Sequence, residues 1–201
     1  MRSRFLTLLI CAALALGASR AAAGDAVVKK AVFAGGCFWC MQPPFDHAAG
    51  VVSTVVGYTG GQESSPSYEQ VSAGRTGHRE SIEVTYDPAK ISYEKLLDIF
   101  WHNINPTQAD GQFHDIGAQY TTAIFFTDAG QEREARESRE ALEKSGKFKQ
   151  PIATKILPAA KFWPAEEYHQ KYYLKNPEHF ETYHAGSGRV DYIQRVWGGE
   201  K

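Results

Sequence analysis

Cysteine is scarce in this sequence, with three residues among 201, so a disulfide-dense secreted scaffold is excluded. Long apolar runs are missing as well: Phe5 to Ala18 spans fourteen residues, too few to cross a bilayer as a helix. Neither sign of charge is in excess. Lys and Arg number 22 against 23 Asp and Glu, a net charge of −1 without any long charged run, which excludes a nucleic-acid binder steered by bulk charge. Cys37-x-x-Cys40 has no second pair and no His pair at ligand spacing to complete a zinc site. Met41 stands where a c-type haem would need His. What is present is the balance of a soluble globular domain: 43% hydrophobic, 22% charged and, at 12%, rich in aromatics.

Residues 1–23 read as a secretory signal. Arg2 and Arg4 precede the apolar stretch, and Ala21-Ala22-Ala23 offers a small-residue cleavage site. Ile10 before Cys11 argues against lipoprotein attachment. Cleavage removes three arginines and no acid, leaving 19 basic groups against 23 acidic and a net −4. The expected product is one domain, residues 24–201, exported to the periplasm or secreted, with no membrane attachment after cleavage.

Periodicity and punctuation set the order of elements. Val27 to Ala34 reads as an apolar strand, and Phe38 opens a short helix after Gly35-Gly36. Val51 to Gly57 is β-branched and reads as a strand. Tyr58 to Gly77 is a loop with a helical turn at Tyr68 to Ala73, and His78 to Tyr86 alternates as a strand. Ser92 caps a helix through His102. Asn105 to Gly117 reads as loop, Tyr120 to Thr127 as strand and Asp128 to Lys144 as an exposed, charged helix. Ile152 to Leu157 is a last strand and Ala165 to Tyr173 a last helix. The β-α-β-β-α-β order predicts an α+β fold, the split βαβ arrangement on a mostly antiparallel sheet, with additions at the C-terminal end.

Cys11 leaves with the signal, so the mature chain keeps only Cys37 and Cys40. A bond between them closes too small a loop to stabilise much, which favours redox chemistry over a structural staple. Cys37 falls at a strand-to-helix junction, where unpaired N–H groups and the helix dipole are expected to lower its pKa. An undistorted helix holds residues three apart with Cβ atoms about 5–6 Å from each other, whereas a disulfide needs about 3.5–4.5 Å. The first turn must therefore yield, and Pro43 and Pro44, without N–H groups, leave it free to do so. Glu80 shares a strand face with Ile82, Val84 and Tyr86, and burial there would raise its pKa and keep a proton available.

The motifs Gly36-Cys37-Phe38-Trp39-Cys40, Gly57-Tyr58-Thr59-Gly60-Gly61, Thr76-Gly77-His78-Arg79-Glu80, Asp115-Ile116-Gly117-Ala118-Gln119-Tyr120 and Ala165-Glu166-Glu167-Tyr168-His169-Gln170 stand in order along the chain. With Tyr68 and Asn105-Pro106-Thr107, they make the mature sequence resemble the peptide methionine sulfoxide reductase A family, in its variant with Gly-Cys-Phe-Trp-Cys at the active site. The resemblance implies a ferredoxin-like two-layer α/β sandwich and reduction of methionine S-sulfoxide, free or in proteins, without a cofactor. Cys37 matches the nucleophile, which attacks the sulfoxide sulfur while the oxygen is protonated on its way to water. Glu80 matches the acid, Tyr68 and Tyr120 the hydroxyls that hold the oxygen, Phe38 and Trp39 the aromatic wall for the substrate methyl group, and Asp115 an acid that organises the site.

Glu166 and His169 lie in a matching segment and are assigned no catalytic role. Asn105 stands where Asp is usual and Thr121 where Arg is usual. Many relatives recycle through cysteines of a C-terminal tail, but residues 176–201 contain none. Cys40 is then expected to form a disulfide with Cys37 that an external thioredoxin-like dithiol reduces. A monomer is expected. The alternatives are a thioredoxin-like thiol-disulfide oxidoreductase, which shares Cys-x-x-Cys at a strand–helix junction, and a non-enzymatic binder of exposed methionines.

Overall fold

The computed structural model describes residues 27–198; the signal-like segment lies outside the described residues. The first half builds the scaffold. Strand β1 (Lys29–Ala34) leads into helix α1 (Phe38–Asp46), then β2 (Val51–Thr59), a single helical turn α2 (Tyr68–Ser72), β3 (Arg79–Tyr86) and α3 (Tyr93–His102). Ser92 caps α3 by accepting the Lys95 amide at 3.1 Å, as its position before an amphipathic stretch requires. The second half adds a small hairpin, β4 (Gly111–Gln112) and β5 (Asp115–Ile116), then β6 (Ala123–Phe126), α4 (Ala129–Lys144), β7 (Lys155–Pro158) and β8 (Trp163–Pro164). Three C-terminal helices close the chain: α5 (Tyr172–Lys175), α6 (Pro177–Gly186) and α7 (Arg189–Trp197).

The main sheet runs β7-β6-β1-β3-β2-β8, antiparallel throughout except for the parallel pair β6–β7. Its centre, β6-β1-β3-β2, is the strand order of the split βαβ sandwich, so the expected α+β, ferredoxin-like architecture is the observed one. Helix α1 packs on β2 and β3, and α3 packs between α1 and α4. The core between helices and sheet is aromatic: Phe33 of β1 lies 5.2 Å, ring to ring, from both Phe45 of α1 and Phe100 of α3. Val32, Ala34, Ala123 and Phe125 form a smaller cluster on the other face.

Three expectations are corrected. Residues 165–173 do not form one helix, because this segment is bound to the edge of β2. Strand β8 pairs with Gly57 and Tyr58, the Ala165 amide donates to Val56 O at 2.9 Å, and the Gln170 side-chain amide bonds both the N–H and the C=O of Val56. That edge needs partners more than the segment needs a helix. The expected strand at Tyr120 begins only at Ala123; residues 118–120 make a 3-10 turn instead. The loop of residues 105–117 holds the β4–β5 hairpin that carries Asp115.

A half-buried polar joint fixes the C-terminal segment to α1. Asp46 accepts hydrogen bonds from Thr54 at 2.6 Å, from Tyr173 at 2.8 Å and from the Lys171 ammonium, while Gln42 accepts the Lys171 amide at 2.8 Å. The chain after β8 is thereby held against the C-terminal half of α1.

Because Phe33 is fully buried between two rings while Ser92 only caps an exposed helix end, the two sites should differ in weight. Phe33→Ala is expected to cost about 3–5 kcal/mol and Ser92→Ala about 1 kcal/mol in urea unfolding. Equal losses would contradict the placement of the core.

Candidate active site

The site forms where the C-terminal end of β1 enters α1. Gly35 and Gly36 make the turn, Gly36 with φ +85, and a Cβ on Gly36 would meet the Gln112 side chain at 2.5 Å. Glycine is required at this turn by both conformation and space. Cys37 follows as the N-cap of α1 and Cys40 sits one turn on; both are reduced and buried, 5% and 2% exposed. The Cys40 and Met41 amides donate to the Cys37 carbonyl at 3.1 and 3.3 Å. One amide at the helix start is used otherwise: Phe38 N–H donates to Glu80 Oε2 at 3.0 Å.

Glu80 reaches that amide from β3, where its register partner on β2 is Tyr58. It shares the buried face with Ile82, Val84 and Tyr86, as period-two alternation predicts. The carboxyl is 2% exposed. Burial, with the proximity of Cys37 adding, pushes its pKa well above the ordinary carboxyl range, against the opposing pull of the Phe38 amide. The group is held protonated and ready to donate.

The expectation of a thiolate-favouring site for Cys37 is corrected. Burial raises the Cys37 thiol well above its ordinary value, and the hydrogen bond with Cys40 raises it further. The helix N-terminus does not rescue it, because the Phe38 amide serves Glu80 instead. Desolvation outweighs the dipole, and the pocket holds a neutral thiol beside a neutral acid.

A cavity of about 110 Å³ is lined by Cys37, Phe38, Trp39, Tyr68, Glu80, Asp115 and Tyr120, and by Tyr183. All eight site residues expected from sequence except Cys40 thus face one space, and Cys40 lies buried beneath it. The Tyr68 and Tyr120 hydroxyls make no hydrogen bond to another described residue, and burial raises both, Tyr68 to about 12. Both remain protonated donors facing the cavity. Tyr183, in α6, carried no motif; its hydroxyl donates to Asp115 Oδ2 at 2.7 Å and also faces the Cys37 thiol.

Trp39 is fixed from three sides. Tyr172 stacks on it at 3.8 Å with planes 7° apart, Tyr183 meets it edge-on at 5.9 Å, and its indole N–H donates to His169 Nδ1 at 3.0 Å. His169 is fully buried, which lowers its pKa to about 4 and keeps it a neutral acceptor at Nδ1. Glu166 accepts from the Tyr58 hydroxyl at 2.8 Å and from the Tyr68 amide at 3.0 Å, orienting the turn that carries Tyr68. His169 and Glu166 therefore support the wall and the rim. The two atypical positions also have local uses: Asn105 Oδ1 accepts from Thr107 and Tyr192, and Thr121 Oγ1 accepts from Arg79 Nε at 2.9 Å. Among the described residues no cluster of His, Cys, Asp and Glu is placed to hold a metal ion.

A family model described as peptide methionine sulfoxide reductase matches residues 29–201. The peptide methionine sulfoxide reductase MsrA of Halalkalibacterium halodurans is 54% identical over 171 residues, covering 85% of this chain and 97% of the relative. Among solved structures, Mxr1 from Saccharomyces cerevisiae in reduced form is 32% identical, with TM-score 0.72, covering 77% of this chain and 89% of that one. Mxr1 has also been solved in complex with Trx2; that structure matches the fold at TM-score 0.52 and 23% identity over 74% of this chain and 87% of that one.

The buried acid predicts a stability signature. Glu80 keeps in the folded state a proton that the unfolded chain releases above the ordinary carboxyl pKa, so its effect on stability worsens as pH rises from there to the folded value. Glu80→Gln should therefore gain on the wild type with rising pH, by up to about 1.4 kcal/mol per unit in that window. Urea unfolding at pH 5 and pH 8 reads the difference; one that does not grow would contradict a buried neutral acid.

Proposed function

The chain belongs to the peptide methionine sulfoxide reductase family, and on that premise we propose that it reduces methionine S-sulfoxide, free or within proteins, through Cys37 and Glu80. The observation that carries this reading is the pairing of a buried Glu80 carboxyl, whose burial favours its protonated form, with the Cys37 thiol in one small cavity that also presents two tyrosine hydroxyls without a described hydrogen-bond partner. Such a pocket suits a sulfoxide: an apolar wall of Phe38 and Trp39 for the methyl group, donors from Tyr68, Tyr120 and Glu80 for the oxygen, and sulfur opposite sulfur.

The chemistry balances within the pocket. Glu80 gives its proton to the sulfoxide oxygen as the Cys37 sulfur attacks the substrate sulfur, and the Cys37 thiol proton restores Glu80. The oxygen is transferred to Cys37, which becomes a sulfenic acid, and the methionine thioether is released. Cys40 then attacks the Cys37 sulfur, a disulfide forms and the oxygen leaves as water. Pro43 and Pro44 inside α1 leave the carbonyls of Trp39 and Cys40 without helix donors, which supports the local tightening this step needs. A thioredoxin-like dithiol completes the cycle, a reading supported by the yeast relative's capture with Trx2. The signal-like residues 1–23 support an exported enzyme, and a site complete within one chain supports a monomer. The thiol-disulfide oxidoreductase reading is not favoured, because a cavity of about 110 Å³ with an acid and two phenols serves an oxygen atom and does not fit a protein disulfide.

Assay of both epimers with a dithiol reductant tests the activity: the S-sulfoxide should be consumed and the R-sulfoxide and insulin disulfides left intact. Consumption of insulin disulfides alone would overturn the reading. Glu80→Gln should slow single-turnover methionine formation by about 10²–10⁴-fold while substrate still binds. An unchanged rate where chemistry limits would remove Glu80 from the mechanism. Cys40→Ser should reduce one equivalent of sulfoxide per protein and then stall with thioredoxin-type donors, its Cys37 left as a sulfenic acid. Continued turnover with such a donor would contradict the Cys37–Cys40 route.

A further inference from the structure

Arg189, at the start of α7, is 1% exposed and the largest fully buried side chain among the described residues. It makes no ion pair with any described carboxylate, and its Nε is buried without an acceptor. A guanidinium in that position is expensive to keep unless its charge serves a group nearby.

Its contacts surround the two-cysteine turn. Nη2 donates to Gly35 O at 2.8 Å, and Nη1 contacts Met41 Sδ at 3.3 Å and donates to Asn103 O. A Cβ placed on Gly36 would come within 3.0 Å of Nη2, so the glycine turn is closed directly over the cation. Phe113 covers it further, with the guanidinium carbon 4.7 Å from the ring centroid. The arginine thus holds the residue two before Cys37 and the residue just after Cys40.

We propose that Arg189 is a positioning residue for the resolving step, its buried cation stabilising the Cys40 thiolate that attacks the Cys37 sulfenic acid. The inference rests on the reductase reading above. In this step the Cys40 thiolate, having released its proton, forms the S–S bond as the S–O bond of Cys37 breaks. Cys40 sulfur is oxidised, Cys37 sulfur is reduced, and the departing hydroxide takes up a proton as water.

The groups that face Cys40 agree with this assignment. The Cys37 thiol donates to it and lowers its pKa, burial opposes, Arg189 lowers it, and Asp115 and Glu80 act against the thiolate. Glu80 is neutral and the Asp115 carboxylate is engaged by Tyr183, which leaves Arg189 as the cation acting on Cys40. His184, which also faces the guanidinium, is held towards the neutral form by burial and by Arg189 itself.

Alkylation of Cys40 against pH in a Cys37→Ser protein tests the proposal without any turnover. Cys40 should titrate below the ordinary thiol value of about 8.5, and Arg189→Met in the same background should move the profile upward by about one unit, with Arg189→Lys restoring much of it. A Cys40 that titrates at or above the ordinary value, which needs no Arg189 variant to observe, would overturn the proposal, as would an unmoved profile in Arg189→Met. In the two-cysteine enzyme, quenched single turnovers should show disulfide formation slowed more than methionine release in Arg189→Met. About threefold is expected at neutral pH, because a tenfold loss of thiolate is partly offset by higher intrinsic nucleophilicity. Equal slowing of both steps would mark a merely structural arginine. If no methionine is released even by the wild type, the reductase reading itself has failed, and the alkylation profile still decides the role of Arg189.

Discussion

The hydrogen bond from the Phe38 amide to Glu80 joins the two halves of the chemistry. It gives a donor left free at the helix start to a buried carboxyl group and so docks β3 against the first turn of α1. A carboxylate at a helix N-terminus is ordinarily stabilised in its charged form. Here the group is 2% exposed, and the loss of hydration outweighs the single amide. The same bond leaves Cys37 without that amide, and burial, with the Cys40 hydrogen bond adding, keeps the nucleophile a neutral thiol as well. A neutral thiol and a neutral acid share this pocket, and a sulfoxide oxygen supplies a dipole that both groups can use.

The rest of the molecule keeps that arrangement fixed. Residues 166–173 hold Trp39 and Tyr68 through His169 and Glu166, and they are themselves held by Asp46, Gln42 and the edge of β2. Helix α6 brings Tyr183 onto Asp115 and Cys37, and α7 brings Arg189 beneath the cysteine turn. Most of these contacts pair polar groups inside the protein, the condition under which buried polarity gives a single arrangement, while Arg189 Nε and His169 Nε2 stay buried without a partner.

Much of this was legible in the sequence because it depends on short-range pattern. Strand alternation placed Glu80 inward with Ile82 and Val84, Ser92 marked the start of α3, and the β-α-β-β-α-β order gave the sheet its topology. The lost details are long-range. The segment after Ala165 reads as helical locally but answers to an unpaired sheet edge far away in the chain. Tyr183 and Arg189 sit in helices beyond Tyr173, where the sequence reading placed no further element, and nothing in their neighbours announces that the tail folds back onto Cys37. The shift of Cys37 was misread because helix position was visible in the sequence, whereas burial and the competing claim of Glu80 on one amide were not.

The central claim is that Glu80 holds its proton at neutral pH inside the folded protein. Infrared difference spectroscopy between the wild type and Glu80→Gln at pH 7 measures this directly, through the carbonyl stretch of a protonated carboxylic acid. The account predicts such a band in the wild-type enzyme, lost in the variant. A carboxylate signal in its place would contradict it.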